Sequence, residues 1–464
     1  MENKTAWEKY PEGEKRDQVF AFAEDYRRVL SACKTEREFA ARVMLEAKAA
    51  GFAELSELIT AGTKLEAGSR VAACQMGKSV ALFVIGRRPI EEGLRILGAH
   101  IDSPRMDLKS NPLYEDTELA MLDTHYYGGI KKYQWVTVPL ALHGVFVKKD
   151  GEKVSVAIGD RHGDPVFGVS DLLVHLSADQ MAKKASNVIE GENLNVLAGS
   201  IPMPESDEEK KDLVKANVMR ILTETFGIEE EDFLSAEIEV VPAGSAKDYG
   251  FDRSMIMGYG HDDRVCAYPS FRALLDGEEI PEYTGVCLLV DKEEIGSVGA
   301  TGMESRFFEN TLAEVMNLAG QYSELALRRA LASSKALSSD VNAAFDPNYP
   351  SVMEKNNAAY LGKGIVFSKF TGSRGKSGSN DANPEFIAPL RAALGDEDVS
   401  FQMAELGKVD QGGGGTIAYI LANYGMQVID SGVAVLNMHA PWEIISKVDL
   451  YEAYRCYKAF LKLA

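Results

Sequence analysis

Cysteine is scarce in this chain and is not organised. Cys33, Cys74, Cys266, Cys287 and Cys456 are scattered, odd in number and include no CxxC pair. That excludes a disulfide framework and a structural zinc knuckle, and it fits a reducing compartment. Long apolar runs are missing too. No stretch is long enough to span a bilayer, and residues 1–15 are polar and charged, without the apolar centre of a secretory signal. A cytoplasmic location is the default expectation. Positive charge is in deficit, with 50 Lys and Arg against 70 Asp and Glu and a net charge of −20. A surface of that sign repels phosphate backbones and anionic headgroups, so neither nucleic acid nor membrane is expected as a partner. There is no HExxH helix, which excludes a zincin, and no internal repeat.

What is present is a soluble globular balance, 45% hydrophobic and 26% charged, spread over 464 residues. That length exceeds one ordinary core and calls for two domains, or one with a large insertion. Helical periodicity marks 14–50, with a second helix expected around 36–50 and a stop at Gly51. Strand-like runs follow at 71–74, 79–86 and 94–99, the last leading into His100. From 123 to 241 the pattern changes to short β-like runs with turn signals between them. These include 135–147, 154–158 and 236–241, and a charged helix at 206–226 whose start carries a Ser206/Glu209 capping box. After Gly258 strands and helices alternate again. Helices are expected at 265–275, 310–331, 416–424 and 450–463, and strands at 286–290, 336–340 and 426–430. The fold class expected is α/β: a mixed, mostly parallel sheet sandwiched by helices, with an inserted β-rich second domain. The catalytic domain is placed at 1–122 and 242–464, and the insertion at 123–241.

The centre of the pattern is Val290-Asp291-Lys292-Glu293-Glu294-Ile295-Gly296-Ser297, where an apolar strand runs out into two adjacent carboxylates. Ligands in open α/β sheets bind beyond the carboxyl ends of strands. Two neighbouring carboxylates there need a cation or a proton between them. His100, Asp102, Asp262, Asp340 and His439 also follow β-like runs. Each alone has an ordinary structural explanation. His100 and Asp102 make a strand-end pair, Asp262 and Asp340 suit caps or turns, and His439 suits a core imidazole. Together they form a donor set of imidazole and carboxylate suited to two zinc-class cations.

The motifs HxDSP, HDDR, EE-IGS, SSD followed by DPNY, GGGGT and MHAPWE, spread from Leu97 to Glu443, resemble the aspartyl aminopeptidase family of metallopeptidases, M18, in its bacterial aminopeptidase 1 branch. The resemblance implies a zinc exopeptidase fold and the removal of N-terminal residues from peptides. It implies two metal ions, zinc with cobalt or manganese as substitutes, held by His100 and Asp340 on one side and Glu294 and His439 on the other. Asp262 would bridge them. Glu293 would be the general base for a metal-activated hydroxide, and Asp102 the carboxylate that orients His100. His175 of the inserted segment would contact substrate, even in a neighbouring subunit, or serve as an extra ligand. The inserted domain would dimerise, and the whole would build a homo-oligomer, a dodecamer in the family. One departure bears on preference for an acidic Asp or Glu at the substrate N-terminus. Lys369 is displaced by one residue from the family's lysine, a slip that turns a strand side chain to the opposite face. Arg374 and Lys376 are the other cationic candidates. Two further readings stand beside the aminopeptidase: a dinuclear zinc deacylase or other exopeptidase on the same scaffold, and a non-catalytic metal-binding scaffold. Against the last stands Glu293, a base that a pure binder does not need.

Overall fold

The computed structural model describes residues 4–204 and 211–463. They fall into two compact units. The first comprises Met1–Asp102, Ala246–Met438 and Glu443–Ala464; the second comprises Ser103–Ser245 and His439–Trp442.

The first unit is built on a nine-stranded sheet. Its strands in spatial order are Ala53–Glu54, Arg70–Gln75, Ser79–Val84, Thr284–Val290, Leu94–His100, Lys335–Ser339, Gln427–Gly432, Ile365–Ser368 and Phe401–Met403. The central pairings are parallel, with Val290 opposite His100 and Ser338 opposite both Gly98 and Asp430. Thr284–Val290 and Leu94–His100 are buried along their whole length, as expected of parallel strands covered on both faces. Alternate residues divide between two cores. Leu97, Cys287, Leu289, Leu337 and Ile429 join Phe39, Phe271 and Tyr457 on one face. Ile96, Val286, Leu288, Ala336 and Val428 join Phe308, Leu312, Leu327 and Leu421 on the other. Each large aliphatic side chain buried here contributes about 1.5–3 kcal/mol. A five-stranded sheet, Lys247–Tyr249, Met255–Gly258, Glu443–Ser446, Ala434–Leu436 and Asn342–Ala343, completes the unit and sets Gly258 opposite Glu443.

The second unit carries a six-stranded antiparallel sheet. It begins at Ser103 rather than 123, because strand Arg105–Asp116 pairs along its length with Leu119–Tyr127. The charged helix spans Leu213–Phe226. The capping box read at Ser206 and Glu209 lies outside the described residues. The helix is capped instead across the fold: Val214 N and Lys215 N donate to the Glu115 carboxylate at 2.8 and 2.9 Å. One more expectation is corrected. The helix read at 310–331 is two, Phe307–Leu318 and Glu324–Ser333. Gly320 turns the chain at φ +69, and Ser323 caps the second helix by accepting from Ala326 N. The apolar periodicity runs through both pieces and hides the break.

Candidate metal centre and catalytic turn

The central parallel strands release their loops on one edge of the sheet, and the expected residues of the first unit meet there. His100 ends its strand with its ring 1% exposed as a residue. Its Nδ1 lies 3.0 Å from the Asp102 carbonyl oxygen and 3.2 Å from Asp102 Oδ1. Its Nε2 lies 3.2 Å from Asp262 Oδ1, 3.9 Å from Glu293 Oε2 and 4.0 Å from Asp340 Oδ1. Asp102 is fully buried and has a second task. Glu293 N and Glu294 N both donate to its carboxylate, each at 3.2 Å. One side chain therefore sets both the imidazole and the turn that carries the paired glutamates. That turn, Glu293–Ile295, is a short 3₁₀ piece flanked by left-handed residues, Lys292 at φ +69 and Gly296 at φ +97.

Asp262 and Asp263 lie at the head of helix His261–Leu275 with non-helical dihedral angles, and their peptide bond is cis. Three partners hold this corner. Asp262 N donates to Glu443 Oε2 at 3.1 Å. Tyr26 Oη lies 2.7 Å from His261 Nδ1. The Arg264 guanidinium donates to the carbonyls of Ile101 and Lys34. Burial pushes the His261 imidazole down to about 3, so it is neutral and structural. Asp340 N donates to Ser431 O at 3.0 Å, which aligns the end of its strand with its parallel neighbour.

At this edge of the sheet, three groups of donors have their ligand atoms within 4.8 Å of one another: His100, Glu293 and Asp340; His100, Asp262 and Glu294; and Asp262, Asp263 and Asp340. The electrostatics of so many carboxylates are severe. Burial first, then the charge of Glu293, raises Asp340 well above the usual carboxylate range. Burial likewise raises Asp263. Burial alone would lower His100, but hydrogen bonds to Asp102 and Asp262 and the charge of Glu293 carry it well above its ordinary value. Such a cluster demands positive charge at its centre. One imidazole nitrogen among carboxylate oxygens is a donor set that suits zinc, so the residues fit a bound divalent metal.

His439 is on the short segment His439–Trp442 that groups with the second unit, and its Nδ1 lies 2.8 Å from Gly129 O. His175 is exposed in the 3₁₀ turn Val174–Leu176 of the second unit. Lys369 and Lys376 both pair with Asp381, at 2.5 and 3.2 Å, and Lys376 also covers the Phe370 ring at 3.9 Å. Arg374 takes a left-handed conformation, φ +46, in the same loop. Sequence reasoning assigned no role to Glu443, although it closes the MHAPWE motif. Its buried acceptor for Asp262 N is visible only once strand Glu443–Ser446 is paired with Met255–Gly258.

Residues 29–461 match the family model described as aminopeptidase I zinc metalloprotease (M18). Over 460 residues the chain is 62% identical to a Clostridium acetobutylicum protein named "Probable M18 family aminopeptidase 1", covering 99% of this chain and 98% of that one. It superposes on the crystal structure of an M18-family aminopeptidase from Thermotoga maritima with a TM-score of 0.94 and 44% identity, covering 100% of both chains. At the level of fold alone, it also resembles the S. cerevisiae mApe1 dodecamer, at 19% identity, a TM-score of 0.75 and coverage of 96% and 97%.

Proposed function

Because the chain belongs to the M18 family of zinc metalloproteases and is a metallo-aminopeptidase, we propose that it cleaves the N-terminal residue from peptides at a two-ion centre. The centre is built on His100, Asp262, Glu294 and Asp340, with Glu293 as the general base. The observation that carries this reading is the turn held by Asp102. It presents two adjacent glutamates to two different donor groups that share His100.

Bound there, divalent cations supply a water of lowered pKa and polarise the scissile carbonyl. The Glu293 carboxylate, grouped with His100 and Asp340, takes the proton from the attacking water, then returns it to the leaving amine. Asp262 and Glu294 would offer their carboxylate oxygens to the bound cations. Asp102 keeps the His100 ring with Nε2 turned to Asp262 and Nδ1 away. The assignment of His439 as a further ligand rests on its motif, MHAPWE.

On the substrate side, Lys369 and Lys376 are each engaged by Asp381. An acidic N-terminal residue would have to compete with that carboxylate for them, and Arg374 is the third cation of this loop. We infer no strong acidic preference from these residues. In the second unit, Leu172, Leu173, Val174 and Leu176 are 46, 54, 78 and 66% exposed. An apolar run this exposed marks an interaction surface. We assign it to a second copy of the chain, in keeping with the dodecamer described above, with His175 on that run directed to the substrate of a neighbouring subunit.

The test is a zinc-loaded peptidase assay across a panel of N-terminal residues, with Glu293→Gln alongside. Hydrolysis of free-amine peptides, lost in Glu293→Gln at unchanged zinc content, is the expected result. Full activity in that variant would overturn the base assignment. Turnover of N-acylated substrates alone would favour the deacylase.

A further inference from the structure

The loop that carries Glu293 and Glu294 is closed at its neck by a second buried carboxylate. Asp291, the residue after strand Thr284–Val290, is 1% exposed, and Thr301 is 3% exposed. Asp291 forms a parallel bridge with Gly302, and its backbone N–H donates to Thr301 O at 3.2 Å. Thr301 Oγ1 donates back to Asp291 Oδ2 at 2.6 Å, while Lys292 N donates to Asp291 Oδ1 at 2.8 Å. Two ammonium groups face the same carboxylate, Lys292 Nζ at 3.2 Å and Lys78 Nζ at 3.9 Å from Oδ2. The far side of the neck is tied to the sheet, since Ser79 Oγ, at the start of strand Ser79–Val84, donates to Thr301 O at 2.5 Å.

Taken with Asp102, three successive backbone N–H groups, those of Lys292, Glu293 and Glu294, are each received by a buried carboxylate. Asp102 holds the turn from the metal side and Asp291 holds it from the strand side. We propose that Asp291, acting through its hydrogen bond with Thr301, is a positioning residue that sets where the Glu293 carboxylate stands over the metal site. The reason is geometric. Residues 292–300 leave and rejoin the sheet between Asp291 and Thr301. Any slackening of that neck is carried to Glu293, two residues from its edge. Displacement of a reacting group by about 1 Å costs on the order of a hundred-fold in rate.

This inference rests on Glu293 being the base, and the experiment separates the two. Thr301→Val removes the hydroxyl donor and leaves the backbone bridge, while Thr301→Ser restores the donor. In the zinc-loaded enzyme, Thr301→Val is expected to lower kcat about ten-fold, the worth of one hydrogen bond to a charged group. KM should stay within about two-fold, zinc content should match that of the parent chain, and Thr301→Ser should return kcat to within about two-fold. In the metal-free protein, the amides of residues 292–294 should exchange faster in Thr301→Val than in Thr301→Ser. Asp291→Asn, which retains one acceptor, should move the same quantities in the same direction. Unchanged kcat in Thr301→Val, a loss that serine does not rescue, or a loss that follows zinc content would each overturn the proposal. If Glu293→Gln keeps its activity, the base reading falls. If Glu293→Gln is inactive while Thr301→Val turns over at the full rate, the positioning role alone falls.

Discussion

Asp430 lies within the sheet, 3% exposed, and accepts a hydrogen bond from Thr416 Oγ1 at 2.5 Å. Burial pushes its carboxyl from the ordinary 3.8 up to about 7. Between those values the folded chain holds a proton that the unfolded chain releases. Its contribution to stability is therefore complete below 3.8 and is lost as the pH rises through about 7. Asp430→Asn keeps an acceptor for Thr416 and cannot titrate. The melting temperature of the parent chain relative to Asp430→Asn should fall between about pH 4 and about pH 8, as scanning calorimetry at several pH values would register. The adjacent glutamates make the opposite point, that two identical residues fall in different donor groups. Glu293→Gln should lower kcat by about a hundred- to ten-thousand-fold with zinc retained. Glu294→Gln should lose bound zinc, measurable by metal analysis after dialysis. Equal zinc loss in both variants would show that the roles had been assigned the wrong way round. Sequence patterning identified the pair as chemically loaded. Which donor group each carboxylate would join came only from the motif resemblance and not from the patterning, because that depends on where His100, Asp262 and Asp340 arrive.

Among the elements, the helices were the more legible where a local stop was strong and the less so where periodicity continued. The first helices match their reading at Glu14–Ala32 and Glu36–Ala49, the second with a full capping box at Thr35 and Glu38. The 310–331 helix was read as one piece because its apolar positions keep step across Gly320. The helix Leu213–Phe226 shows the limit of cap signals, since its N–H groups are received by Glu115, about a hundred residues earlier in the chain. Glu115→Ala should destabilise this helix by about 1 kcal/mol, the usual worth of an N-cap. Amide exchange should quicken at Val214 and Lys215 ahead of the rest of the second unit. Protection equal to that of the parent chain would remove Glu115 as the cap.

For the whole molecule, assembly and metal dependence are the quantities that matter. Light scattering after size exclusion should report a multiple of the chain mass. Val174→Asp combined with Leu176→Asp should shift it to smaller species, because a charge placed in an apolar interface costs several times what it costs at a surface. A monomer in the parent chain would remove the second-copy assignment. Chelation should abolish hydrolysis, and zinc should restore it.

The sequence by itself determined the class of sheet, the presence of a β-rich second unit, the family, and the residue types at the strand ends. All of these are written in local periodicity or in short motifs. Only the tertiary structure decided that Asp102 would receive the N–H groups of Glu293 and Glu294 and that Glu443 would receive that of Asp262. It alone decided that Lys369 and Lys376 would be paired with Asp381, and that Asp291 and Thr301 would close the catalytic loop. The three bonds to Asp102 and Glu443 join residues 181 to 192 positions apart. No periodicity reaches that far. Such partners are set by which strands lie side by side and in what register, and therefore by the packing of the two cores against the sheet.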